Sequence, residues 1–376
     1  MSRKIRLIVN AVPMTYVQTG VGRYLRNLYL QLEQDFGHEL DIVYFDGHGL
    51  APTMPTGPEN MARWSRVSSL FWKLPALAAF GVRVGMQLRR DQLFRWLARG
   101  VDLYHEAAFF PFLTPPGVRT VFTVHDMTLA RLPETHPRER VMYFNRYFWR
   151  RLPRVARFLT VSDFTRRELI ELCGVAPERV RTTHLACEGG FWRPRSQAAV
   201  RSFRARRGLP EEYFLFVGSG DPRKNLSIIP PALEAAGLAQ PLVVIGWEGW
   251  AQPPGNVRML GYVSDEELAC AYSGALALVF PSLYEGFGLP LVEAMACGCP
   301  LIVSGRTSLP EVAGDAALYF DEPRSVEVVA AQLRRAVEDI SLRQELSARG
   351  LAQSRRFDWK TTAAQTYESF ALALGG

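Results

Sequence analysis

Short runs of Val, Ile, Leu and Phe alternate along this chain with segments whose apolar positions recur every three to four residues. That alternation is the rhythm of strands joined by crossover helices in a parallel sheet. In the first half the runs occupy residues 4–12, 40–45, 101–105, 120–124 and 158–161. Between the first two, Val21, Tyr24, Leu25, Leu28 and Leu32 fall on one helical face, which predicts a helix over residues 21–36 covering a core. The rhythm restarts at residues 213–217 and continues through 242–245, 277–280 and 300–303, and beyond Ser325 the pattern is helical. Two sheets predict two α/β domains, over residues 1–190 and 191–356, with residues 357–376 as a closing helix that returns to the first. Residues 188–210, with Gly189, Gly190, Pro194 and a basic run, read as the linker between them.

Length agrees with this division, because 376 residues exceed the size at which one hydrophobic core stops growing. Hydrophobic residues at 48% and charged residues at 22% are ordinary globular proportions and exclude a disordered chain. The five cysteines (Cys173, Cys187, Cys270, Cys297 and Cys299) are odd in number and contain no CxxC pair. They resemble neither a disulfide framework nor a zinc cage, and point to a reducing cytoplasm. The apolar run near Met1 is too short for a secretory core, and residues 70–86 are interrupted by Lys73, Pro75 and Arg83. A membrane-spanning segment is therefore not expected.

In open parallel sheets, ligands bind beyond the carboxyl ends of the strands, so the loops that follow the predicted strands are where chemistry belongs. Gly20-Val21-Gly22-Arg23-Tyr24 opens the first helix, where backbone N–H groups and the helix dipole suit a phosphate. A tight turn built for backbone reasons alone is the alternative. Leu25 stands where a dinucleotide fingerprint needs its third glycine, which disfavours NAD. At the equivalent point of the second half, Gly218-Ser219-Gly220-Asp221-Pro222-Arg223-Lys224-Asn225 places adjacent cations ahead of a helix, suited to a diphosphate. A solvated basic turn is the alternative there. The segment from Phe280 to Pro300 is the most informative. Glu285-Gly286-Phe287-Gly288-Leu289-Pro290 turns into a helix that carries Glu293, so two carboxylates and a row of backbone N–H groups stand together where a nucleotide sugar could be held.

This stretch resembles the E-x7-E motif of the retaining glycosyltransferases of family 4. The likeness extends through the GVGRYL loop, Thr123-Val124-His125-Asp126, Val161-Ser162, the PRKN segment, Gly314-Asp315-Ala316-Ala317 and Phe357-Asp358-Trp359. It departs at Gly218-Ser219-Gly220-Asp221, where bulkier residues often precede the Arg-Lys pair. The resemblance implies a GT-B fold, two Rossmann-like domains facing across a cleft. It implies that Glu293 binds the donor ribose, and that Glu285 with the backbone of Gly286, Phe287, Gly288 and Leu289 binds the donor sugar. Arg223 and Lys224 would hold the diphosphate together with the N–H of Gly22, and His125 would sit beside the transferred sugar. Transfer with retention of configuration is implied. With no DxD triplet and no His/Cys cluster, metal-independent activity without a cofactor is expected. Among relatives, the GVGRYL loop with the VHD strand end looks most like bacterial mannosyl- or rhamnosyltransferases of O-antigen and other surface polysaccharides, which puts a GDP-linked donor first. A sugar-nucleotide epimerase and a catalytically silent nucleotide-sugar-binding scaffold share the fold and stay as alternatives.

Charge is unevenly spread. The chain carries a formal +7, and the excess lies in the first half. Residues 63–99 hold eight Lys and Arg, with Asp91 as the one acid, interleaved with Trp64, Phe71, Trp72, Phe80, Phe94 and Trp96. Mixed cationic and aromatic residues suit the headgroups of an anionic membrane surface. The expectation is a peripheral protein on the inner face of the cytoplasmic membrane that receives a lipid-linked saccharide acceptor. Nucleic acid is disfavoured for want of a recognition motif.

Overall fold

The computed structural model describes residues 3–15, 20–55, 75–188, 190–246 and 256–375. Two compact units are present, one of residues 1–185 with 359–376 and one of residues 186–358.

The first unit is built on a seven-stranded sheet of order β3-β2-β1-β4-β5-β6-β7. Its strands are β1 (Ile5–Asn10), β2 (Leu40–Phe45), β3 (Leu50–Ala51), β4 (Leu103–Glu106), β5 (Arg119–Val124), β6 (Arg157–Thr160) and β7 (Val180–Thr182). All pair in parallel except β3, which runs antiparallel to β2. Its main helices are α1 (Gly20–Phe36), α2 (Ala76–Leu97), α3 (Arg138–Arg151) and α4 (Asp163–Cys173). The predicted face of α1 is buried at Tyr24, Leu25, Leu28 and Leu32, joined by Tyr29, while Val21 is half-buried. One core cluster gathers Phe122, Phe148 and Phe158, and another Ile8, Phe45, Phe94 and Tyr104. Apolar side chains stand on both faces of the central strands because helices cover both.

The second unit has a six-stranded parallel sheet of order β10-β9-β8-β11-β12-β13. The strands are β8 (Phe214–Val217), β9 (Leu242–Ile245), β10 (Val257–Gly261), β11 (Ala277–Phe280), β12 (Leu301–Ser304) and β13 (Ala317–Phe320). Around it lie α5 (Gln197–Arg207), α6 (Ile229–Ala235), α7 (Asp265–Gly274), α8 (Leu289–Ala296), α9 (Leu309–Ala313), α10 (Val326–Glu338) and α11 (Ile340–Ser354). Phe214, Phe216, Val244, Val279, Ile302, Phe320 and Leu333 form its core. These are the two Rossmann-like parallel-sheet domains of the GT-B class.

The expected linker over residues 188–210 is not one. It contains α5, capped by Ser196, whose hydroxyl accepts from Ala199 N, and closed by Gly208 at a left-handed φ. The basic run is the outer face of this amphipathic helix, with Val200 and Phe203 buried beneath. Arg207 pairs with Glu267 and Arg204 donates to the Gly274 carbonyl, tying α5 to α7. The last helix, α12 (Trp359–Leu374), belongs to the first unit. Tyr367 stacks on Phe36 at 4.2 Å, and Thr362 Oγ1 donates to the His184 carbonyl at 2.7 Å.

The basic segment also resolves differently from its sequence reading. Asp91, its one acid, is buried and clasped by Arg151 of α3, Nη1 to Oδ1 at 3.0 Å and Nη2 to Oδ2 at 2.5 Å. Phe94 is core rather than surface. What α2 does expose is Leu77, Val82, Met86, Leu88 and Trp96, beside Arg89, Arg95 and Arg99. Trp64, Phe71 and Trp72 lie outside the described residues. Among the described residues, no helix is long and apolar enough to cross a membrane.

Candidate active site

The second unit assembles a charged cluster where three loops leave the carboxyl ends of β8, β11 and β12. After β8, Gly218 passes so close to the loop after β9 that a Cβ on Gly246 would stand 2.0 Å from the Gly218 carbonyl oxygen. Only glycine permits that approach, and it sets the course of the chain into Pro222–Lys224. Asp221 caps this turn, accepting from Arg223 N at 3.0 Å and from Arg223 Nε at 3.1 Å. Asn225 follows at φ 56, its amide donating to the Pro281 and Pro323 carbonyls. Leu283 N donates to the Arg223 carbonyl at 2.7 Å, which sews the β8 loop to the β11 loop.

The two cations then meet Glu285. Lys224 Nζ donates to Oε1 at 2.6 Å, and Arg223 Nη1 donates to Oε2 at 3.3 Å and to the Tyr284 carbonyl at 3.0 Å. Glu285 is buried. Burial alone would raise its pKa, but Lys224 and then Arg223 more than offset this and hold the carboxyl below its usual value. Burial lowers the pKa of Lys224, opposed by Glu285. The cluster is thus an ion triad held together by its own side chains.

Beyond Glu285 the chain turns through Gly286 and Phe287 to Gly288, which takes φ +103 at the start of α8. Its backbone is fixed from the β12 side. Ser308 Oγ lies 2.9 Å from the Glu285 carbonyl and 3.0 Å from the Phe287 carbonyl, and Glu285 N donates to Thr307 Oγ1 at 3.2 Å. A trans peptide carries its C=O and the next N–H on opposite sides. With the carbonyls of Glu285 and Phe287 turned onto Ser308, the N–H groups of Gly286 and Gly288 face the other way. Thr307 makes this contact at φ 60, a conformation costly for a β-branched residue. Further along, Glu293 on α8 is buried and accepts from Tyr272 OH at 3.2 Å.

Of the predicted residues, Arg223, Lys224 and Glu285 are brought into one cluster, followed directly by Gly286 to Leu289. Glu293 stands one helical turn on, with Tyr272. Gly22 and His125 belong to the other unit. Gly22 is buried in the first turn of α1. His125 follows β5 and is half-buried, and desolvation drives its pKa down to about 4, so it is neutral near pH 7. Its ring meets Tyr24 edge-on, with centroids 4.9 Å apart. Asp126 accepts from Thr128 N at 2.9 Å and Thr128 Oγ1 at 2.7 Å, starting a short helical turn. Sequence reasoning missed Thr307, Ser308 and Tyr272, whose importance lies in contacts between separate segments. Thr307-Ser308 before Leu309-Pro310 is the one of these with a visible cue, a polar pair at a strand end.

Residues 18–186 match the family described as Glycosyltransferase Family 4, and residues 201–353 the family described as Glycosyl transferases group 1. The chain is 32% identical to the O-antigen chain mannosyltransferase B of Escherichia coli, over 98% of this chain and 100% of that one. It is 30% identical to the serotype-specific mannosyltransferase WbdA of Escherichia coli over 68% of this chain and 34% of that longer protein. Among solved structures it resembles a sucrose-phosphate synthase from Thermosynechococcus elongatus, with a TM-score of 0.72, 18% identity and coverage of 97% and 98% of the two chains. At that identity the likeness concerns the fold alone.

Proposed function

Because the chain belongs to the family 4, group 1 glycosyltransferases, we propose that it transfers a hexose, mannose before rhamnose, from a GDP-linked donor to a lipid-linked saccharide in surface polysaccharide synthesis. The observation that carries this reading is the Arg223–Lys224–Glu285 triad beside the Gly286–Leu289 turn. In transfer, the bond from the sugar C1 to the diphosphate oxygen breaks and one from C1 to an acceptor oxygen forms. The barrier is set by the charge that gathers on the leaving diphosphate. Arg223 and Lys224 stabilise that charge, with the Gly22 helix end as a further anion site. Glu285 and the turn hold the sugar, Glu293 the ribose, and His125 stands beside the moving sugar as a neutral hydrogen-bonding group. Attack from the face the diphosphate leaves, with the phosphate taking the acceptor proton, retains configuration. Two fixed cations serve the role a divalent ion plays elsewhere, so activity is metal-independent.

The names of the relatives support the sugar and the pathway, since two are mannosyltransferases of O-antigen or serotype chains. The exposed apolar residues of α2 support work at an anionic membrane surface. So do those of α3, where Met142 and Trp149 are exposed among Arg146, Arg150 and Arg154. The test is a thermal-shift panel of GDP, UDP, ADP and dTDP followed by transfer assays with and without excess EDTA. A shift largest with GDP and transfer that survives EDTA are expected. Preference for another base overturns the donor, and complete loss of activity in EDTA overturns the metal-free mechanism.

A further inference from the structure

Glu106 ends β4 in the first unit, fully buried and, among the described residues, without an acidic or basic partner to explain its presence. Everything it meets donates. Asn10 Nδ2, at the end of the neighbouring β1, lies 2.9 Å from both carboxylate oxygens. Tyr104 OH donates to Oε2 and Ala108 N donates to Oε1 at 2.6 Å, and the Ala107 N–H adds a further bond. One carboxylate therefore pins the backbone of Ala107 and Ala108 at the carboxyl edge of the sheet. The ring of His125 is hydrogen-bonded to the backbone of Ala107 in a way that favours the protonated nitrogen, so the ring N–H donates to the Ala107 carbonyl. Among the described residues, the buried Nε2 of His125 has no hydrogen-bond partner. The donor is therefore Nδ1, and in the neutral ring Nε2 carries the lone pair.

We propose that Glu106, braced by Asn10, is a positioning residue that fixes His125 as the Nδ1–H tautomer, so that Nε2 accepts a hydrogen bond from a hydroxyl of the transferred sugar. This rests on the reading of His125 as the residue beside that sugar. It adds a specificity consequence: a sugar with a carboxylate in place of that hydroxyl would set negative charge against a lone pair and is rejected. Tyr24 completes the seat, its edge on the His125 ring and its hydroxyl 3.0 Å from Thr123 Oγ1.

The experiment is 15N NMR of the full chain labelled at histidine, with His125 assigned by its absence in His125→Asn. Wild-type protein is expected to show a protonated Nδ1 and an unprotonated Nε2, and the reverse pattern overturns the proposal. In Glu106→Gln, two amide groups face each other at Asn10, so a mixture of tautomers and a kcat lowered roughly tenfold or more are expected, with donor KM less affected. Adding Asn10→Asp restores complementary donors and acceptors, and should recover both the signal and the rate. Glu106→Gln with His125→Asn should be no slower than His125→Asn alone, whereas losses that multiply mean that Glu106 acts independently and overturn its positioning role. Wild-type turnover in His125→Asn, with the expected tautomer intact, overturns instead the underlying reading of His125.

Discussion

Lys224 and Glu285 are ion-paired at 2.6 Å, although the proposed function gives the first to the diphosphate and the second to the sugar. The pair orients both groups at once, since each anchors the other. Replacing Lys224 or Arg223 by alanine is expected to lower turnover by roughly 10²-fold or more by removing a charge-assisted contact to the leaving group. Steady-state kinetics on the folded variants measure this, and a double variant working at the wild-type rate would show that the cations serve only the fold.

Glu285→Ala and Glu293→Ala should differ. The first leaves Lys224 without its ion-pair partner and Arg223 with Asp221 alone, so a loss of stability of about 3 kcal/mol should accompany a fall in the chemical rate. The second should chiefly weaken nucleotide binding, because Glu293 makes its contact away from the triad. Denaturant unfolding and isothermal titration with nucleoside diphosphate separate the two, and indistinguishable profiles would count against the assigned roles.

Ser308→Ala removes the hydroxyl on which the Glu285 and Phe287 carbonyls converge, and is expected to lower kcat about tenfold with little change in donor KM. Thr307→Gly relieves the positive φ but takes away the acceptor for Glu285 N. Stability should rise by about 1 kcal/mol while activity falls. A variant gaining both would show that the strain at Thr307 has no part in catalysis.

Acid should weaken the first unit in a defined window. Burial holds His105 at about 3 and His125 at about 4, while the unfolded chain protonates histidine near 6.5. The unfolded state binds more protons, so their contribution is present above pH 6.5 and is lost as pH falls. Glu106 opposes this. Burial raises it to about 7, so between pH 7 and about 4.5 the folded state binds the extra proton. The balance is one proton, about 1.4 kcal/mol per pH unit from pH 6.5 down to 4.5. His105→Asn should flatten that slope, as read by urea midpoints across the pH series, and an unchanged slope would rule out these assignments.

Binding to membranes should follow the exposed faces of α2 and α3. Co-sedimentation with anionic liposomes at low salt, lost at high salt and with neutral lipid, is the expected result. Glutamate in place of Arg95 and Arg146 should reduce it while sparing nucleotide binding. Equal, negligible sedimentation with both lipids would refute the membrane proposal alone.

The alternation of apolar runs located the central strands of both sheets within a few residues, because strands covered on both faces must be continuously apolar. Strands β3, β7, β10 and β13 escaped for the opposite reason. They are short or half-exposed edges, and Val257–Gly261 has no fully buried residue. The helix α5 was hidden by its arginines, which read as a loop until Val200 and Phe203 are seen to share a buried face. In the site, residues carrying charge or glycine were legible because their chemistry is visible in isolation. Ser308, Tyr272 and Glu106 matter through partners more than twenty residues away or through backbone groups, and one sequence does not display such pairings.

The chain enters the second unit at residue 186 and leaves it at 358, before α12 completes the first. During synthesis, therefore, the later-starting unit can close on itself while the earlier one still lacks the helix that covers Phe36, His105 and Tyr24. Nascent residues 1–185 remain without that helix for at least 173 residues of elongation, roughly ten to thirty seconds at ordinary rates of synthesis. The order of birth and the order of completion are therefore reversed.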